Sequence, residues 1–169
     1  MISKTEYASY FEQYLKLVIK KGKSIIENLE DSQKEFERLL RNLPKEKHNF
    51  SYADSKWTLK ELIQHIIDTE RVFCYRALCF ARNDKTELPG FDQDVFVDNV
   101  DANSRDYYNL LDEMAILRKG TIILFKSFSD EALLRNGVAS GNKMSVRALG
   151  YLFSGHQIHH LNVVKERYL

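Results

Sequence analysis

Apolar residues recur at three- and four-residue spacing along nearly the whole chain, and very little interrupts them. In 169 residues there are only two prolines, Pro44 and Pro89, and seven glycines. Strands need a period of two and frequent turn residues, so this pattern leaves an all-α chain. The aromatic opening, Tyr7, Tyr10, Phe11, Tyr14 and Leu15, predicts a short helix lying across the others. A first long helix follows Gly22, with Ile25, Ile26, Leu29, Phe36, Leu39, Leu40 and Leu43 on one side, and stops before Pro44. A polar connection over 45–56 contains His48, expected to be solvated. Thr58 and Glu61 then form an S/T-x-x-E capping box that starts a second helix running to about Arg82. Its stripe is Leu59, Leu62, Ile63, Ile66, Ile67, Phe73, Cys74, Ala77, Leu78 and Ala81. Beside it runs a second strip, Thr58, His65, Thr69, Val72 and Arg76, that would line a cleft between helices.

Residues 83–103 are Asp-rich and broken by Pro89-Gly90. Connections this long inside compact domains are uncommon and serve as lids or binding loops, or return the chain to the far end of a bundle. Phe91 and Phe96 would anchor this one. A third helix is predicted from near Ser104 to Phe128, carrying Tyr108, Leu111, Met114, Ala115, Leu117, Ile122, Leu124 and Phe125. A turn of helix around 130–134 and a flexible connector over 136–142 follow, and Ser145 caps the last helix. The expected architecture is a four-helix bundle with a long central crossover loop, one domain over 1–169. A chain of this length buries a core without disulfides or a structural metal.

With 25 basic and 24 acidic residues intermixed, the formal charge of +1 supplies no footprint for nucleic acid or an anionic membrane. No apolar run reaches membrane-spanning length, and the N-terminal residues lack a signal-peptide core, which predicts a cytoplasmic protein. Cys74 and Cys79 lie five apart on a helix, pointing in different directions, and are expected to be reduced.

Three of the five histidines fall within residues 156–160. On a helix His156 and His160 share a face with Leu149, Leu152, Phe153, Val163 and Val164, while Tyr151, Ile158 and Leu161 fall outside it. Imidazoles in an apolar stripe need partners, because an unpaired buried polar group costs roughly 1–3 kcal/mol. A metal ion is one explanation, and core histidines bonded to Tyr, Ser or backbone are the other. Catalytic zinc sites use three protein ligands and keep a position open. His65 is the best-placed third ligand, with His159 as runner-up. An H-E-x-x-H peptidase motif is excluded by Gln157, and the Glu-x-x-His pairs of di-iron bundles are excluded by Leu62 and Phe153.

The strings KWTLKELIQHIIDTE (56–70) and GHQIHHLN (155–162), with DKTELPGFDQDVFV (84–97) and SVRALGY (145–151), closely resemble the DinB/YfiT-like superfamily, over most of the chain from Tyr7 onward. The resemblance implies a four-helix bundle, often a homodimer, with a divalent metal ion, typically zinc or nickel, held by His65, His156 and His160. Members of that superfamily include thiol-dependent S-transferases or isomerases, working with glutathione, mycothiol or bacillithiol, and metal-dependent hydrolases. The expected function is therefore an enzyme that activates water or a low-molecular-weight thiol for attack on a small-molecule substrate. A non-enzymatic metal-binding stress-response or interaction module is the alternative. An open metal position lined by Tyr and Phe would favour the enzyme, and a closed four-ligand site the module. For the general base, Glu70, Asp68, Asp92 and Asp94 are candidates and none stands out.

Overall fold

A computed structural model describes residues 2–20 and 22–169. Its frame is four long helices: α2 (Ile25–Leu40), α3 (Leu59–Ala81), α5 (Tyr107–Lys126) and α7 (Val146–Val163). The principal packing pairs are α2 with α7, α7 with α3, α3 with α5 and α5 with α2, which closes a four-helix bundle. The short α1 (Glu12–Ile19) packs against α7; of the aromatic opening expected to form it, only Tyr14 and Leu15 do so, Tyr10 and Phe11 lying in a 3₁₀ turn (Ser9–Phe11) before it and Tyr7 outside both. Two small helices, α4 (Gln93–Asp98) and α6 (Asp130–Leu134), punctuate the connections. No helix among the described residues is long and apolar enough to cross a membrane.

The helix starts follow their sequence signals. Thr58 Oγ1 accepts from the Glu61 N–H at 3.2 Å while Glu61 Oε2 accepts from the Thr58 N–H at 2.7 Å. Ser145 Oγ accepts from the Ala148 N–H at 3.0 Å. A capping box at Ser24 and Glu27, unnoticed in sequence, starts α2 in the same way. Two expectations fail. His48 is not solvated: its ring stacks on Tyr107 with centroids 3.6 Å apart, because 45–58 folds back over the start of α5. Residues 136–142 are not a flexible connector. They form most of a hairpin, β1 (Asn136–Ala139) and β2 (Asn142–Ser145), closed by Ser140 and Gly141 at φ 52° and 69°, the positive pair a tight hairpin turn needs. Leu88 pairs with β1 through its N–H to the Val138 carbonyl and its carbonyl to the Ser140 N–H, which fixes the long crossover loop to the hairpin.

A polar layer divides the core. Above and below it lie two apolar clusters, one centred on Leu29, Phe73, Phe125 and Phe153, the other on Phe36, Ile63, Met114 and Leu161. Between them each long helix contributes polar side chains: Ser32 from α2, Glu70 from α3, Arg118 and Thr121 from α5, Gln157 from α7. Arg118 grips Glu70 with two bonds, Nε to Oε1 at 2.8 Å and Nη2 to Oε2 at 2.7 Å. Its Nη1 faces the Leu29 carbonyl, Ser32 Oγ and Gln157 Oε1 at 2.7–3.0 Å. Both members of the pair are buried, so the charges rely on each other and on these bonds for what water no longer supplies.

Candidate metal centre

The residue before His156 is a glycine for a reason of space. A methyl group at Gly155 would lie 2.4 Å from the Tyr14 carbonyl oxygen, so α1 crosses α7 with backbone against backbone. That crossing lays Tyr14 over the histidines, its ring centroid 5.7 Å from His156 and 5.1 Å from His159. On the far side, Tyr168 donates to the Trp57 carbonyl at 2.7 Å, which holds the loop before α3 so that Trp57 packs 4.8 Å from His65. Ile158 and Leu161, placed outside the inner face by periodicity, are buried as well: α1, α2 and α3 surround α7 on most of its circumference.

Within this frame His65, His156 and His160 converge. His156 Nε2 is 3.2 Å from His65 Nε2 and 3.0 Å from His160 Nε2. Tetrahedral nitrogens ~2.0–2.1 Å from zinc stand ~3.3–3.4 Å apart, and octahedral neighbours at that radius ~2.9 Å, so the two separations through His156 match a metal's ligand set without selecting the metal, and the three ligand nitrogens all lie within 4.8 Å of one another. Among the described residues no fourth His, Cys, Asp or Glu joins the group. His159 also stays out of it, packing edge-on against Tyr14 and His160. His65 lies inside the protein, at 3% exposure.

Burial pushes the His65 imidazole down to about 4. Burial, followed by the proximity of the other two rings, pushes His156 well below its ordinary value, and burial and His65 do the same to His160. All three are neutral at pH 7, the state a metal ligand must have. Among the described residues their Nδ1 atoms have no protein hydrogen-bond partner, so the rings are oriented by packing against Trp57, Tyr14, Phe73 and one another.

The cluster opens on a cavity of about 610 Å³, whose wall includes His65 and His156, the aromatic residues Tyr10, Tyr14, Phe73 and Phe91, and residues of the 83–103 loop. His160 borders a smaller hollow of about 250 Å³ on the other side. The candidate carboxylates now separate. Glu70 is locked to Arg118 in the polar layer, and Asp68 accepts from Gln64 Nε2 at 2.9 Å away from the cavity. Asp92 and Asp94 line it. Asp92 caps α4 through Oδ1, whereas Asp94 borders both hollows. Neither cysteine is bridged. Cys74 contacts Thr121 Oγ1 at 3.2 Å, and burial pushes its thiol up to about 11.

Sequence reasoning missed Arg118, although it occupies a core position in the series Leu111, Met114, Arg118, Thr121, Phe125 on α5. Tyr107 and Leu110 also face inward, and Tyr108, expected on the inner side, is exposed, while Leu111, Met114 and Phe125 are buried as expected.

A four-helix bundle with a buried three-histidine cluster open to a cavity is the class of protein these observations define. The family model of the DinB superfamily matches residues 28–164, and the chain belongs to that superfamily. YfiT from Bacillus subtilis, described as a probable metal-dependent hydrolase with an unusual four-helix bundle topology, superposes with a TM-score of 0.74 at 18% identity, covering 98% of this chain and 87% of that one. A DinB-like protein from the same organism, YjoA, superposes with a TM-score of 0.59 at 18% identity, covering 85% and 89%. No curated protein matches the sequence.

Proposed function

We infer that the protein is a divalent-metal-dependent enzyme, with His65, His156 and His160 as ligands, that activates water or a low-molecular-weight thiol for attack on a small electrophile. The observation that carries this reading is the convergence of three neutral imidazole nitrogens on an aromatic-lined cavity, with no fourth side-chain ligand among the described residues. His65, His156 and His160 would hold a divalent ion, which would supply a lowered pKa for the nucleophile and polarisation of the substrate oxygen. Zinc and nickel both suit imidazole donors. The rest is done by the chain. Tyr14, Trp57 and Phe73 keep the imidazoles dry and aimed, and Phe91 and Tyr10 wall the substrate space. Asp94, the carboxylate bordering both hollows and free of a capping role, would take the proton from the nucleophile. The description of YfiT supports the hydrolase form of this reading. The protein also works as a homodimer, to which the apolar side chains left exposed on α3 and α5 (Tyr75, Leu78, Ile116, Ile123) lend support.

The test is chelation at neutral pH, with helicity followed by circular dichroism and activity by a panel of activated esters and thiol-reactive electrophiles. Activity that falls on chelation and returns with added zinc or nickel, at constant helicity, is the expected outcome. Collapse of the helices on chelation would assign the ion to structure and contradict the enzyme reading.

A further inference from the structure

Arg76 stands in the same cavity. It is 6% exposed, and among the described residues no carboxylate forms an ion pair with it. Only Nη2 is engaged, donating to the Pro89 carbonyl and to Ser140 Oγ, both at 3.0 Å. Of the five N–H donors of a guanidinium, those two bonds leave three unused, and the buried Nε has no partner. Two turns nearer the histidines, Thr69 Oγ1 is buried without a partner too. His65, Thr69 and Arg76 lie on one face of α3 and all three line the cavity. Pinning the Pro89 carbonyl and Ser140 does not require a charge; a neutral amide would serve. A largely buried guanidinium with donors to spare and no carboxylate paired to it among the described residues is suited to receive an anion from the cavity.

We propose that Arg76 anchors the carboxylate of the substrate, and that the substrate is a monoanionic organic acid with an aromatic or aliphatic body whose reacting group lies at the histidine cluster. This rests on the reading of the cavity as the substrate site. The charge on the wall favours a carboxylate over a phosphate ester: among the described residues Arg76 is the only Lys or Arg lining the cavity, and Asp92 and Asp94 border it, which repels a dianion. The faces of Phe73 and Phe91 stand 6.0 Å and 5.9 Å from the guanidinium carbon, orienting its plane and supplying apolar surface for the body of the acid. Positions 65 and 76 are ~16 Å apart along the axis at 1.5 Å per residue, shortened by side chains reaching inward. The carboxylate is therefore several bonds from the reacting centre rather than adjacent to it.

The probe is 4-phenylbutyrate against its neutral amide, titrated calorimetrically into the full chain as purified and again after chelation. Tighter binding of the acid in both conditions is expected, with the preference reduced roughly tenfold or more in Arg76→Gln, as for loss of a charged hydrogen bond, and partly kept in Arg76→Lys. In wild-type protein with isotopically labelled arginine, the Arg76 Nε–H resonance should shift on adding the acid and not the amide, which keeps the test intact should a variant fold poorly. A preference that vanishes on chelation and ignores Arg76→Gln would place the carboxylate on the metal, overturning this assignment while supporting the metal site. Equal binding of acid and amide, or a lowered melting temperature in Arg76→Gln with the preference unchanged, would leave Arg76 a structural pin and refute the proposal. A chain that binds no metal yet keeps the preference would uphold Arg76 and refute the metal reading.

Discussion

Removing one member of the Glu70–Arg118 pair should be among the most damaging single changes available to this fold. Arg118 is 1% exposed and Glu70 3%, so Glu70→Gln leaves a guanidinium buried against a neutral amide, with Ser32, Gln157 and Thr121 still arranged for a charge. Breaking a buried pair from one side costs about 3–5 kcal/mol. That is a large share of the 5–15 kcal/mol by which domains are ordinarily stable. At roughly 2–4 °C per kcal/mol for a chain of this size, the melting temperature should fall by about 6–20 °C. The double variant Glu70→Leu/Arg118→Met, which removes both charges, should recover much of the loss, giving a strongly non-additive cycle. The assay is urea unfolding of the four species at neutral pH, with metal content measured on each. Glu70 lies outside the histidine cluster, so stability should move while metal stoichiometry holds. A loss under about 1 kcal/mol in Glu70→Gln, or simple additivity in the double variant, would show that the pair does not act as a unit and refute the reasoning.

Gly155→Ala places a methyl 2.4 Å from the Tyr14 carbonyl and should cost about 1–3 kcal/mol while weakening metal affinity, whereas Gly120→Ala, with open space around it, should be neutral or stabilising in thermal melts. The metal-free protein should lose stability as pH falls from about 6.5 to 4: His65 stays neutral in the fold down to about 4, while the unfolded chain takes up the proton earlier. From that residue alone the loss is about 3 kcal/mol, measurable by unfolding at stepped pH; constant stability over this range would contradict its burial. Light scattering at micromolar concentration should give the mass of a dimer, and a monomeric mass would count against the homodimer.

The parts of the fold set by local chemistry were readable in sequence. The capping box at Thr58, the cap at Ser145, the stop before Pro44 and the apolar stripe of α3 each depend on neighbours three or four residues away, and each stands where expected save Leu78, which the stripe includes but the fold leaves exposed. The strip His65, Thr69, Arg76 does line a cleft, since the same periodicity that places core residues also places what borders them. What long-range contacts decide was not readable. The hairpin at 136–145 exists because Leu88 pairs with it, and His48 is buried because 45–58 returns over Tyr107. Arg118 shows the same limit: an arginine in a core register marks a buried charge only once Glu70 is known to face it.

The central claim is that His65, His156 and His160 together hold one metal ion, and elemental analysis of the purified full chain and its single His→Ala variants tests it most directly. About one divalent ion per chain in the wild type and in His159→Ala, and loss of the ion in each of the other three, is the predicted result. Metal retained at full stoichiometry when all three are replaced, or lost from His159→Ala and kept by His65→Ala, would contradict it.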